Sequence, residues 1–99
     1  MLVLRAPRAD DAPDIASLLA QLGYPASAPE IPPRLSAFGA SPNAVAWVAE
    51  LDGSVAGLAT AHVIRSLHKS EVVALLTVLV VDERARGKGV GRMMVQEAE

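Results

Sequence analysis

Hydrophobic and polar positions follow two different periods along the chain, and the change of period separates helices from strands. Leu2 to Arg5 predicts a short first strand. In residues 11–22 the apolar positions then recur at intervals of three and four, as on one face of a helix; they are Ile15, Leu18, Leu19 and Leu22. Asp10 is the predicted N-cap of this helix, Pro13 falls in its first turn, and Gly23 is suited to end it.

Residues 24–43 contain five of the seven prolines and predict a flap with one short helix. The helix is expected to begin near Pro32, because Ile31, Leu35 and Phe38 have helical spacing.

The rest of the chain has the patterns of strands, followed by one more helix. Residues 44–50 and 54–63 predict two antiparallel strands, because Asp52-Gly53 between them is typical of a two-residue hairpin turn. Residues 71–81 are apolar on both faces, which is typical of a central strand. A last helix is expected from about Gly89; its apolar positions are Val90, Met93 and Met94. The predicted order is β-α-α-β-β-β-α, an α/β (α+β) fold.

Composition narrows the classes of function. Of the 99 residues 52% are hydrophobic and only 3% aromatic, and the formal charge is −2, so we expect one thinly packed domain with neither a nucleic-acid nor a membrane partner. There is no cysteine, and the two histidines, His62 and His68, are too few for a zinc site, so no metal is expected. The longest apolar run is too short to span a bilayer, which predicts a soluble cytoplasmic protein.

A glycine-rich turn between the apolar strand and the last helix is the clearest candidate site. Glycines at a helix N-terminus let an anion approach the free main-chain N–H groups. The turn combines three glycines with three basic residues: Gly87, Gly89, Gly91, Arg86, Lys88 and Arg92. Both the Walker A pattern and the dinucleotide pattern fail here, since no Ser or Thr follows the lysine and no third glycine is correctly spaced. The alternative interpretation is a tight connection with a solvated basic face.

The turn also matches the pattern R-x-x-G-x-G, formed by Arg86, Gly89 and Gly91. At this point the chain resembles the GNAT N-acetyltransferase superfamily, and the mixed, mainly antiparallel sheet of that family is the expected fold. The R-x-x-x-x-D-D segment from Arg5 and the A-E-L-D-G-S-V-A-G hairpin occur in the family's order. The resemblance implies acetyl-CoA as cosubstrate and a set of contacting residues: Leu79, Val80 and Val81 for the pantetheine arm, and Arg86, Gly87, Lys88, Gly89, Val90, Gly91 and Arg92 for the pyrophosphate.

The same resemblance implies direct attack of a primary amine, from a small molecule or a peptide, on the thioester. A proton acceptor is then needed, and Glu71 is the candidate because it is the only carboxylate on the predicted central strand before Asp82. A solvated residue at the strand end is the alternative interpretation of Glu71. Further candidates are His62, His68 and Tyr24, each of which also suits an ordinary surface position. Glu50 and Asp82 are interpreted as sheet-edge and turn residues.

The family fold usually continues beyond the point that corresponds to Glu99. A domain of about 150 residues is also nearer the common size. Residues 1–99 are therefore expected to be a single, truncated GNAT domain. The exposed strand 71–81 predicts a homodimer or another partner across its edge. The alternative function is a non-catalytic module that binds coenzyme A or another protein.

Overall fold

The computed structural model describes residues 2–65, 72–87, 89–92 and 94, which form one antiparallel sheet with helices on both faces. The order of the strands across the sheet follows their order in the chain. The strands are β1 (Leu2–Arg5), β2 (Ala44–Leu51), β3 (Ser54–Arg65) and β4 (Val72–Val81). The predicted fold class and the predicted order of elements are confirmed.

Three helices flank this sheet within the described part of the chain. Helix α1 (Ala12–Leu22) and helix α2 (Ile31–Ala40) lie on one face. Helix α3, of which residues 90–92 and 94 are described, lies on the other. In the described part of the chain, no helix combines the length and the apolar character that crossing a membrane requires.

Each face of the sheet has its own hydrophobic core. On the α1/α2 face the predicted apolar stripe is confirmed, because Ile15 and Leu18 are almost fully buried against the strands. On the α3 face most of the buried strand residues are alanines; Ala49, Ala56, Ala59 and Ala61 pack there with Val90 and Met94. Small side chains on the sheet let α3 lie close to it, which fixes the position of the turn that precedes this helix.

The two hairpin residues between β2 and β3 both have positive φ, 53° at Asp52 and 87° at Gly53. This is the geometry of the predicted tight turn.

Two β-bulges interrupt the described strand pairings. Ala56 is the extra residue opposite β2, since Gly57 pairs with Ala49 and Val55 with Glu50.

The second bulge lies in β4. Thr60 of β3 pairs with Val78 and its neighbour Ala61 pairs with Leu76, so Thr77 is the extra residue. A bulge reverses the alternation of side chains between the two faces. As a result Thr77 and Val78 both face the α1/α2 side, where Thr77 meets the hydroxyl of Thr60.

The predicted N-cap of α1 is wrong by one residue. Asp10 is exposed, and the N-cap is Asp11, the last residue of a 3₁₀ turn. The Asp11 carboxylate accepts from the Arg8 N–H at 2.6 Å and binds the guanidinium of Arg5. Because Asp11, and not Asp10, is buried beside Arg5, Asp11 is the N-cap.

Candidate functional site

The turn after β4 has the strand-turn-helix geometry that the glycine pattern predicts. β4 ends at Val81, a 3₁₀ turn covers Glu83–Ala85, and helical geometry resumes at Val90. Gly87 and Gly89 have φ of 86° and 79°, values that side chains with a Cβ rarely adopt. A Cβ at either position would meet no atom within 4 Å, so the backbone conformation, rather than crowding, requires glycine at both positions.

The turn surrounds an open cavity of about 530 Å³. Its lining is the turn itself and the end of β4: Val81, Ala85, Arg86, Gly87, Gly89, Val90, Gly91 and Arg92. Within the part of the chain that the structure describes, the main-chain N–H groups of Gly87 and Gly89 donate to no protein acceptor. Lys88 lies outside the described residues. Free N–H groups at a helix N-terminus, with Arg86 and Arg92 beside them, form a surface suited to an anion.

The end of β4 presents hydrogen-bonding groups next to this cavity. The Asp82 N–H donates to the Ala56 carbonyl of β3 at 2.8 Å, and the Val80 carbonyl oxygen lies next to Gly57 of β3. Because main-chain groups point alternately to the two sides of a strand, those of Leu79 and Val81 point to the other edge of β4, which no strand covers among the described residues. The Val81 carbonyl accepts from Arg86 Nε at 3.3 Å.

Asp82 holds the first part of the turn in place. Its carboxylate accepts from the main-chain N–H of Arg84 at 2.9 Å and from Arg84 Nε at 3.2 Å. The hydrogen bonds from Arg84 lower the pKa of Asp82 to about 2. The Glu83 N–H donates to Gln21 Oε1 of α1 at 3.1 Å. The interpretation of Asp82 as a turn residue is confirmed. Nothing in the sequence marked Gln21, 62 positions before Glu83, as a neighbour of the turn.

The sequence model of the acetyltransferase (GNAT) family matches residues 13–99, most of the chain. The chain belongs to the GNAT acetyltransferase family. Members of this family are acyltransferase enzymes and generally use acetyl-CoA. A comparison with curated proteins finds no match.

Solved structures of GNAT proteins superpose on nearly all of the chain. A GNAT family acetyltransferase from Staphylococcus aureus has a TM-score of 0.86 at 17% identity, over 98% of this chain and 74% of that one. For glucosamine-6-phosphate N-acetyltransferase from Arabidopsis thaliana the TM-score is 0.83 at 21% identity, over 99% and 71%. A putative acetyltransferase from Agrobacterium tumefaciens is 27% identical, with a TM-score of 0.84 over 97% and 69%. The resemblance to the GNAT fold is thereby confirmed.

Of the candidate acid-base residues of this GNAT protein, the two that the structure describes, His62 and Tyr24, do not lie at the glycine turn. Glu71 and His68 lie outside the described residues. His62 is exposed and meets Phe38 of α2 edge to face, with 5.8 Å between the ring centres. His62 lies six positions after Ala56 on β3, and Ala56 pairs with Asp82 beside the turn. Six residues of extended strand span about 20 Å, which separates His62 from the turn. Tyr24 follows α1 and is 71% exposed.

An ion-pair cluster ties β1, β2 and the start of α1 together. Arg5 donates to both carboxylate oxygens of Asp11 at 2.8 Å and to Glu50 at 2.7 Å. The guanidinium lowers the pKa of Asp11, against the opposing effect of burial. The interpretation of Glu50 as a sheet-edge residue is wrong, because β2 is an inner strand and its Glu50 pairs with Val3 of β1.

Proposed function

We propose that this protein is an N-acetyltransferase that transfers the acetyl group of acetyl-CoA to a primary amine. The observation that carries the proposal is that the N–H groups of Gly87 and Gly89 have no acceptor among the described residues, and that both glycines line an open cavity at the end of β4. A diphosphate matches these donors in charge and in hydrogen-bonding capacity. The proposed pyrophosphate site comprises Arg86, Gly87, Lys88, Gly89, Val90, Gly91 and Arg92.

The proposed site of the pantetheine arm is the end of β4, at Leu79, Val80 and Val81. Leu79 and Val81 offer main-chain groups at the uncovered edge of the described sheet, so an extended amide-containing arm can pair with them as a strand would. Val80 lies between these two residues and belongs to the proposed site, although its own carbonyl faces β3. The arm would then run from the glycine turn along β4 toward Thr77.

In the proposed reaction, the nitrogen of the amine attacks the thioester carbon, the C–N bond forms, and the C–S bond breaks as sulfur leaves as the thiolate. The attacking amine has to be neutral. For an amine with a pKa of about 10.4, this costs about 4.6 kcal/mol at pH 7, which a proton acceptor offsets. Glu71 is the proposed acceptor of the proton that the nitrogen releases. Glu71→Gln tests this role, since it should lower kcat and remove the acidic limb of the pH profile.

The test of the acetyltransferase proposal is release of free thiol from acetyl-CoA with a panel of amines. Gly89→Glu places a carboxylate where the phosphates are expected, so activity should fall below detection. Gly53→Glu is the matched control. It makes the same change at a glycine of similar φ that has nothing within 4 Å and lies outside the cavity. Equal activity of the two variants would contradict the proposal.

A second candidate function is binding of coenzyme A without turnover. The same free N–H groups support it, because they hold the phosphates whether or not an acceptor binds. Calorimetry with acetyl-CoA, together with the thiol assay, separates the two functions. Binding without thiol release from any amine favours the binding module.

We also propose that a second copy of the chain pairs with the first half of β4. Leu75 on this strand is 52% exposed, and the described sheet ends at β4. An uncovered apolar strand is a template for pairing with another strand. Sedimentation should show a dimer that Leu75→Lys weakens, and a monomer at every concentration would contradict the pairing.

A further inference from the structure

An apolar cavity of about 150 Å³ lies between helices α1 and α2 and the sheet, on the face opposite α3. Its base is formed by three buried side chains, Ile15, Ile31 and Leu58. Its rim is formed by partly exposed ones, among them Phe38 and Val78. The cavity therefore has a closed apolar base and a mouth that reaches β4.

The polar side chains at this cavity are already paired. Arg34 binds Glu30 at 3.0 Å, and the hydroxyl of Thr60 lies 2.8 Å from that of Thr77. Among the described lining residues, none offers an unpaired charge to an occupant. A charged or heavily hydroxylated group would lose its hydration here without compensation. The volume equals that of protein cavities known to hold a benzene ring, so an apolar group of about six carbons fits.

The mouth of this cavity lies near the expected position of the thioester. Val78 at the rim directly precedes the segment 79–81 that is proposed for the pantetheine arm. An arm that runs along this segment away from the glycine turn brings its sulfur end toward Val78 and Thr77. An acceptor seated in the cavity would then hold its nitrogen beside the thioester.

The bulge residue Thr77 supplies a polar group next to the cavity: it is not part of the lining, but it adjoins the lining residue Val78 and its hydroxyl contacts that of Thr60. Its hydroxyl donates to the Thr60 carbonyl at 3.2 Å, so the Thr60 hydroxyl is the donor in the 2.8 Å contact between the two side chains. Each hydroxyl oxygen can accept two hydrogen bonds. Thr77, which is exposed, therefore keeps one acceptor position to which an amine N–H could donate.

We propose that the acceptor is a primary amine with a compact apolar group of up to about six carbons, which fills this cavity while the amine donates to the Thr77 hydroxyl. This inference rests on the proposed acetyltransferase function and names the class of acceptor. It predicts that amines on apolar side chains are preferred over small polar amines.

The test compares leucinamide with glycinamide, which differ only in the side chain. Burial of a leucine side chain corresponds to a preference in kcat/KM of about tenfold to a hundredfold for leucinamide. Ala46→Leu fills the cavity from β2, since Ala46 belongs to its lining, and should reduce this ratio to about one. Ala37→Leu makes the same substitution at an exposed position of α2 outside the cavity and should keep the ratio.

A binding measurement without acetyl-CoA separates this inference from the proposed function. Leucinamide, but not glycinamide, should shift the methyl NMR signals of Ile15, Ile31 and Leu58 in the wild-type protein and leave them unshifted in Ala46→Leu. These shifts without thiol release from any amine would support the cavity and contradict the acetyltransferase. Equal kcat/KM for the two amines, or unshifted signals in the wild-type protein, would overturn the inference.

Discussion

Gly57 of β3 and Met94 of α3 approach each other so closely that a Cβ on Gly57 would lie 2.8 Å from the Met94 sulfur. The same Cβ would lie 3.2 Å from Cγ1 of Val90, the first residue of α3. Met94 and Val90 are both fully buried. This contact sets the height of α3 above the sheet, and with it the position of the glycine turn that leads into the helix.

Gly57→Ala is expected to displace α3 and to lower the free energy of unfolding by about 1–3 kcal/mol, the usual cost of overpacking a core. Affinity for acetyl-CoA should fall as well, because the N-terminus of α3 moves with the helix. Urea denaturation and calorimetry measure the two effects. Gly39→Ala on α2 is the control. No atom lies within 4 Å of its added methyl group, so this change should stabilise by about 0.5–1 kcal/mol.

Arg86→Met and Arg92→Met should each weaken binding of acetyl-CoA by about tenfold, since a charge-assisted hydrogen bond contributes about 1.5 kcal/mol. Both side chains line the cavity at the turn. Arg84→Met is the control, because Arg84 binds Asp82 and lies outside that lining. Calorimetry at two salt concentrations measures the losses. An Arg84 variant that binds as weakly as the other two would contradict the assignment.

Gln21→Ala removes the side-chain carbonyl that accepts from the Glu83 N–H. The expected loss is about 1 kcal/mol of stability, together with a loss of up to about fivefold in affinity for acetyl-CoA, because the turn is no longer tied to α1. Denaturation and calorimetry give both values. Ser36→Ala, at an exposed position of α2, is the control, and an unchanged affinity in Gln21→Ala would argue against the tether.

Asp11→Asn should destabilise the fold by about 2–3 kcal/mol at pH 7, because Asp11 is buried and binds Arg5 through both oxygens. The native pKa of Asp11 lies below its usual value. Its contribution to stability is therefore complete above the unfolded pKa of about 3.9 and is lost as the pH falls through the native pKa. Urea midpoints of the two proteins should converge below pH 4. Exposed Asp10→Asn serves as the control, and a gap that does not depend on pH would contradict this explanation.

Local patterns were sufficient for much of the fold. The apolar stripe from Ile15, the Asp52-Gly53 turn and the glycine turn at Gly89 each depend on residues that are close in the sequence, so spacing and backbone preference alone predict them. The placement of the glycine turn after β4 followed from the same local patterns.

Contacts that depend on strand register were not predictable in this way. Arg5 meets Glu50 across 45 positions only because β1 and β2 pair in one particular alignment. The need for glycine at Gly57 becomes visible only when α3 lies on β3. The cavity under α2 likewise depends on how three elements pack together, and no single segment contains a sign of it.

The single extra residue in β4 makes the length of this strand as critical as its composition. Thr77 reverses the alternation at mid-strand, so that Leu76 faces α3 while Val78 faces α1. Deletion of Thr77 would remove the bulge and leave Leu76 opposite Ala61 and Val78 opposite Thr60 on their present faces. A residue added elsewhere in β4 would instead turn one part of the strand to the wrong face. A one-residue insertion in β4 is therefore expected to be more disruptive than loss of Thr77 itself.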